Sequence, residues 1–192
     1  GTGAPSRDEV STMTMIIDAH THAFPDAIAE RAVPHLAQEG HVKAWLDGKV
    51  SSLLASMDRV GIAASVVCSI ATKPQQFAPI LAWSRAIASD RLIPLGSVHP
   101  ADPEAVAHIR AIGDAGFKGV KLHPYYQDFF ADEERMTPLY EAAIDSNLLL
   151  VMHTGYDIAF PRIRRADPQK IVTVKERFAD LRFVATHMGA WQ

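Results

Sequence analysis

The chain has 192 residues, of which 48% are hydrophobic and 21% are charged, proportions that are ordinary for a soluble globular protein. Its 19 basic and 22 acidic residues give a net charge of −3 without a basic patch, which argues against a nucleic-acid partner. No apolar stretch reaches the roughly 18 residues that are needed to cross a bilayer, which argues against a membrane protein.

The composition along the chain predicts one domain behind a short leader. Residues 1–14 are small, polar and acidic and lack the apolar core of a signal peptide, so we expect a disordered leader. Residues 15–192 then form the domain. The single cysteine, Cys68, lies in an apolar run and is expected in the core. Because one cysteine cannot form a disulfide within one chain, a cytoplasmic location is the default.

The first predicted strand, residues 15–22, carries two histidines separated by one residue. Because side chains alternate between the two faces of a strand, Asp18, His20 and His22 point to the same side. Two imidazoles at this spacing can share one metal ion, and zinc, iron, cobalt and manganese all accept imidazole nitrogen. The alternative is a pair of histidines in a polar loop, but the apolar run before the pair favours a metal site.

Five further apolar strands follow, separated by segments of helical character. A polar, proline-containing excursion comes first, and the helical segments and strands then alternate: helix 50–60, strand 64–71, helix 75–89, strand 92–99, helix 102–113, strand 119–123, helix 132–146, strand 148–153, helix 167–179 and strand 182–187. Asp102 is predicted to cap its helix with Pro103 at the first position, and Asp167 and Pro168 open another.

Strands that are continuously apolar and separated by helices indicate a parallel α/β architecture. Five of the six predicted strands end in histidine, and these residues are His20 and His22, His99, His123, His153 and His187. The pattern fits a TIM (β/α)8 barrel, whose active site gathers at the C-terminal ends of the strands. The alternative is an open doubly wound sheet, which would bind its ligand at one switch point, and no glycine-rich phosphate loop follows the first strand.

Four motifs in this order resemble the amidohydrolase superfamily. They are Asp-Ala-His-Thr-His at 18–22, Gly-Val-Lys-Leu-His-Pro at 119–124, Val-Met-His-Thr-Gly at 151–155 and Ala-Thr-His-Met-Gly at 185–189. The set is similar to the amidohydrolase-2 group of metal-dependent hydrolases and decarboxylases, which includes relatives of aminocarboxymuconate-semialdehyde decarboxylase. The resemblance implies a TIM barrel that holds a divalent metal, usually zinc, with manganese, iron or cobalt as alternatives.

Residue roles follow from the resemblance, motif by motif. It implies that His20, His22 and His153 are metal ligands. For His187 it implies one of two roles. In binuclear relatives the corresponding histidine binds a second metal, and in mononuclear ones it contacts substrate or assists proton transfer. We favour the second role. Lys121 corresponds to a lysine that some binuclear relatives carboxylate, and the alternative is a charged residue that pairs with a carboxylate or contacts substrate.

Other residues are predicted to support the site. Asp18 is expected to hydrogen-bond a ligand or the backbone from outside the metal's coordination sphere. His99 and His123 are candidates for the substrate pocket. Arg162, in the loop after the fifth strand, is a candidate for binding a substrate carboxylate, although a solvated basic loop is the simpler interpretation.

The chain departs from the family pattern at its end. The family's last common ligand, which is also its usual general base, is an aspartate at the end of the eighth strand, and only six strands are predicted here. We therefore expect six of eight β/α units, with the first and sixth strands not paired to each other. We also expect the natural product to continue through two more strands.

The predicted function is that of a metal-dependent hydrolase in which a metal-activated water attacks a carbonyl carbon of a small-molecule substrate. A nonoxidative decarboxylase on the same scaffold is the alternative, and an inactive truncated fragment is the alternative from another class. The expected partner is the small-molecule substrate, with no nucleic acid and no membrane, and a homo-oligomer is left open.

Overall fold

The computed structural model describes residues 15–189, so the predicted leader at 1–14 lies outside the described residues. Six strands and six α-helices make up this part of the chain, with two helices between the first and second strands and one between each later pair. The strands are β1 (Ile16–Thr21), β2 (Ile62–Cys68), β3 (Leu92–Leu95), β4 (Gly119–Leu122), β5 (Leu149–Met152) and β6 (Phe183–Ala185). The helices are α1 (Asp26–Glu39), α2 (Val50–Val60), α3 (Phe77–Ile87), α4 (Ala105–Asp114), α5 (Thr137–Asp145) and α6 (Pro168–Arg177).

All strand pairings are parallel and follow the order of the chain. One sheet has the order β1-β2-β3 and the other β4-β5-β6, and an isolated bridge between Gly96 and Val120 joins them. As predicted, no pairing joins β1 to β6 within residues 15–189. The predicted parallel α/β class is therefore confirmed, with the C-terminal ends of all six strands on one side.

Burial on both faces explains why these short apolar runs form strands. All four residues of β4 are buried, including Lys121. Gly119 begins β4 because a Cβ atom there would lie 2.4 Å from the carbonyl oxygen of Leu149 on the neighbouring strand. The largest apolar cluster packs α4, α5 and α6 against β4 and β5, and it places a rigid layer behind these strands. Cys68 is buried beside Leu95 and Val151, as expected for a core residue.

The structure corrects several predicted boundaries. The strands after β1 end one to four residues earlier than predicted, so His99, His123, His153 and His187 lie in the segments that follow their strands. Helix α1 was not predicted at all, because Pro34 lies inside it and a proline normally interrupts a helix. Helix α4 begins at Ala105 rather than at Pro103. The carboxylate of Asp102 accepts from the backbone N–H of Glu104 and lies within hydrogen-bond distance of Nδ1 of His108. Asp167 does cap α6, as predicted, and accepts from the backbone N–H of Gln169.

No helix among the described residues is both long enough and apolar enough to cross a membrane.

Candidate metal centre

Five imidazole rings form a continuous arc at the C-terminal ends of the strands. The ring centroids of His22 and His20 lie 5.0 Å apart, and those of His20 and His187 lie 5.1 Å apart. His187 and His153 follow at 4.8 Å, and His123 stacks on His153 at 4.2 Å. These residues come from β1 and from the segments after β1, β4, β5 and β6, so the topology gathers side chains that are far apart in sequence.

His187 occupies a strained turn that two threonines hold in place. Its backbone has φ 59°, in the left-handed region that residues other than glycine seldom adopt, at a cost of about 1–3 kcal/mol. The hydroxyl of Thr154 donates to the carbonyl of Thr186, and the hydroxyl of Thr186 donates to the carbonyl of Met152 at 3.1 Å. These bonds fix the turn to β5 and hold His187 at the end of β6.

Lys121 brings a positive charge into the arc. Its side chain is completely buried, and its Nζ lies 3.1 Å from Nε2 of His20. Within residues 15–189 it makes no ion pair with a carboxylate. Burial lowers the pKa of Lys121 to about 8, because the charged amine loses its water.

Burial and mutual repulsion keep the imidazoles neutral. Desolvation, and after it the charge on Lys121, lowers the pKa of His20 to about 3. Desolvation and the neighbouring His123 lower the pKa of His153 to about 3. The pKa of His22 is also lowered, by desolvation first and then by the charge on Lys121, although part of this residue is exposed to solvent. Neutral imidazole is the form that binds a metal ion, so the donor set suits a divalent cation.

A buried ring nitrogen without a hydrogen-bond partner supports a metal site here. Nε2 of His153 is buried and has no hydrogen-bond partner among the described residues. The nearest carboxylate oxygen, Oδ2 of Asp157, lies 3.9 Å from it and 3.4 Å from Nε2 of His123. The ligand atoms of His123, His153 and Asp157 lie within 4.8 Å of one another, which no other three metal-ligating residues at 15–189 do. A buried donor or acceptor without a partner is costly, and a metal ion would satisfy this one.

The remaining predicted residues lie at different distances from the arc. Asp18 accepts a hydrogen bond from the backbone N–H of His20 at 3.1 Å. His99 lies apart, since its Nδ1 accepts from the backbone N–H of Ala101 and no ring contact joins it to the arc within the described chain. Arg162 is exposed and lies over the ring of Tyr156, with 5.4 Å between the guanidinium carbon and the ring centroid.

A cavity of about 220 Å³ opens beside the arc in the loop after β5. Its lining consists of Tyr156, Asp157, Ile158, Phe160 and Arg162. The loop is held in place because the hydroxyl of Tyr125 donates to the carbonyl of Ile163 at 2.6 Å, and the carbonyl of Gly155 lies 3.1 Å from the same oxygen. The cavity thus offers an aromatic wall, one cation and one carboxylate next to the histidines.

Two residues of this region were not identified from the sequence. Asp157 lies four residues after His153, and only this spacing could have pointed to it. Gln127 is completely buried and forms hydrogen bonds with three loops. Its side chain accepts from the backbone N–H of His123 and donates to the carbonyls of Ala71 and Val98. Nothing in the sequence indicates that Gln127 connects these loops by hydrogen bonds.

The family model described as amidohydrolase matches residues 17–191. No curated protein sequence matches the chain.

Similar solved structures share its fold. An uncharacterized TIM-barrel protein from Bordetella bronchiseptica is 24% identical, with a TM-score of 0.71 over 90% of this chain and 66% of that protein. The 5-carboxyvanillate decarboxylase from Sphingomonas paucimobilis is 18% identical, with a TM-score of 0.66 over 91% and 68%. The 5-carboxyvanillate decarboxylase from Novosphingobium aromaticivorans, with bound manganese and 3-methoxy-4-hydroxy-5-nitrobenzoic acid, is 17% identical, with a TM-score of 0.62 over 91% and 66%.

The chain spans about two thirds of the length of these structures. Their fold confirms the predicted TIM-barrel architecture, of which the described residues contain six strands and the helices between them. The group formed by His123, His153 and Asp157 offers ligand atoms that could hold a metal ion.

Proposed function

Because the chain belongs to the amidohydrolase family, we propose that it is a metal-dependent hydrolase acting on a carbonyl carbon of a small-molecule substrate. His20, His22 and His153 would hold the ion, with zinc as the first candidate, although their ligand atoms do not all lie within 4.8 Å of one another in the described chain. The observation that carries the proposal is the buried, unpartnered Nε2 of His153 beside an arc of neutral imidazoles. A divalent ion supplies Lewis acidity there, which polarises a carbonyl group and acidifies water at neutral pH.

The chain's own residues would manage the protons and the charge. His187 has a pKa below its usual value, because of desolvation and then Lys121, so its ring can accept a proton at neutral pH and return it to a leaving group. The buried amine of Lys121 stabilises negative charge that develops beside His20.

A nonoxidative decarboxylase is the second candidate. Two of the similar solved structures are decarboxylases, which supports this reaction on the same fold without assigning it here. Arg162 lines the cavity beside the histidines and is suited to bind a substrate carboxylate. Release of carbon dioxide from aromatic carboxylates, measured beside hydrolysis of esters, amides and lactones, separates the two reactions.

The first test is metal binding by the purified protein. We expect one equivalent of zinc or manganese in the wild type and its loss in His20→Ala and His22→Ala, with an unchanged circular dichroism spectrum. The exposed His35 on α1 provides the control, and His35→Ala should keep the metal. Full metal content in His20→Ala would contradict the ligand assignment.

The second test separates the role of His187 from that of a ligand. His187→Asn should lower turnover by roughly 100-fold or more, as expected for loss of a general acid–base group, while metal content changes little. Turnover and metal content are measured on the same preparation. If the metal is lost in proportion to activity, His187 is a ligand and the assigned role is wrong.

A further inference from the structure

The carboxylate of Asp157 is oriented by its own loop. Its Oδ1 accepts from the backbone N–H of Ala159 at 2.8 Å, so its position relative to the loop is fixed. Its Oδ2 then faces the two stacked histidines, 3.4 Å from Nε2 of His123 and 3.9 Å from Nε2 of His153. One oxygen therefore holds the side chain in place, and the other is turned toward the candidate metal centre.

His123 and His153 differ in what their ring nitrogens meet. Nδ1 of His123 faces the backbone N–H of Tyr126 at 3.5 Å, and this contact favours the tautomer with the proton on Nε2. That proton points to Asp157, and a nitrogen that carries a proton cannot bind a metal. Nε2 of His153 meets no such partner in the described chain. His123 is thus suited to orient the carboxylate and His153 to bind an ion.

The distances fit a metal ion with a small adjustment. Zinc–ligand bonds of about 2.0–2.2 Å place tetrahedral ligands about 3.4 Å apart. Oδ2 of Asp157 and Nε2 of His153 are 3.9 Å apart, so a movement of roughly 0.5 Å would bring them to a common ion. A ligating carboxylate that receives a hydrogen bond from a second residue is a common arrangement around metals in proteins.

We propose that Asp157 is a carboxylate ligand of the metal bound by His153, and that His123 is the residue that positions it. The inference rests on the proposed function, since it assigns a further ligand to the same metal. It also accounts for charge, because the described arc otherwise offers a dication only neutral imidazoles and the cation of Lys121. A carboxylate in contact with the ion offsets part of that excess positive charge.

Metal affinity tests the assignment directly. Calorimetric titration of the metal-free protein with manganese or zinc should give an affinity roughly tenfold or more weaker for Asp157→Asn than for the wild type. Asp47 provides a matched control, because its Oδ1 makes the same bond to the backbone N–H two residues on, and it is exposed. Asp47→Asn should bind like the wild type. Equal affinity in Asp157→Asn would overturn this inference alone, whereas a wild type that binds no metal would overturn the proposed function as well.

A spectroscopic test separates contact with the metal from long-range attraction. With cobalt bound, Asp157→Cys should show a thiolate-to-cobalt charge-transfer band that is absent from the wild type and from Asp47→Cys. The buried Cys68 is present in all three proteins and cancels in the comparison. Absence of the band, with cobalt bound, would overturn ligation by residue 157.

The positioning role of His123 has its own readout. His123→Asn should keep the cobalt but change the shape of its ligand-field absorption, because the carboxylate loses the group that orients it. An unchanged cobalt spectrum would overturn this role.

Discussion

Lys121 shows what a single residue can reveal about this site. Its amine is completely buried, and in the described chain its one polar side-chain contact is Nε2 of His20. Desolvation lowers its pKa to about 8 from an ordinary value of 10.5. Burial of this charged amine therefore destabilises the folded protein relative to an apolar residue at the same position. Groups with pKa values perturbed in this way concentrate at functional sites.

The lowered pKa of Lys121 predicts how the free energy of unfolding depends on pH. Below pH 8 both the folded and the unfolded chains carry the protonated amine, so the full penalty of about 3 kcal/mol is present. Between about pH 8 and 10.5 the unfolded chain binds more protons at this residue, so the free energy of unfolding rises with pH. Lys121→Met should remove this rise and should be more stable than the wild type at pH 7.

Urea unfolding of the metal-free proteins between pH 7 and 10.5 measures the difference. Groups that titrate in both proteins and do not interact with Lys121 cancel when the two curves are subtracted. Parallel curves for the wild type and Lys121→Met would show that the amine is not held in a desolvated environment.

At the scale of the elements, the loops after β2, β3 and β4 act as one unit. Gln127 bonds the backbone of each of them, at Ala71, Val98 and His123, with all three distances equal to 2.8 Å. The loop after β5 is attached through Tyr125 in a similar way. Loops with so many internal bonds can hold the histidines in position without help from substrate.

Replacing Gln127 tests this coupling. Gln127→Leu keeps the size of the side chain but leaves one buried N–H and two carbonyls without partners, which should lower the free energy of unfolding by about 3 kcal/mol or more. Gln169→Leu, at an exposed position of α6, should change it by less than about 0.5 kcal/mol. Chemical denaturation measures both, and similar values for the two variants would contradict the coupling.

The elements also show how far the sequence could predict the structure. Helix 50–60 was predicted with its observed ends, because Leu53 and Met57 recur on one face and Gly61 terminates it. The strands were predicted too long, since an apolar residue such as Val98 can be buried in a loop as readily as in a strand. Asp157 could not be identified, because its approach to His153 depends on how the loop folds back, and local sequence does not specify that.

For the molecule as a whole, the feature that stands out is the open edge at β1. Within the described residues β1 pairs with β2 on one side only. Ile16 and Ile17 are 52% and 47% exposed, although they belong to an apolar strand. An unpaired apolar edge strand is a template for association with another chain.

We expect the 192-residue chain to self-associate through this edge. Ile17→Lys should reduce association, because an edge lysine opposes pairing with another strand. Val60→Lys, at an apolar position that is 63% exposed at the end of α2, should leave association unchanged. Sedimentation velocity at increasing concentration measures both, and equal association in the two variants would exclude the β1 edge as the contact.

The bridge at Gly96 has a consequence for how the chain acquires its structure. Gly96 makes two backbone bonds to β4, one to the carbonyl of Gly119 at 3.0 Å and one from the N–H of Lys121 at 2.8 Å. Each three-stranded half is made of consecutive segments, so its pairings have short sequence separation and a low entropic cost of closure. We expect each half to pair as a unit first, and the joining of the two units, through the bridge at Gly96 and the side chain of Gln127, to come later. His20 belongs to one unit and His153 to the other, so the candidate metal centre is assembled only when the two units have joined.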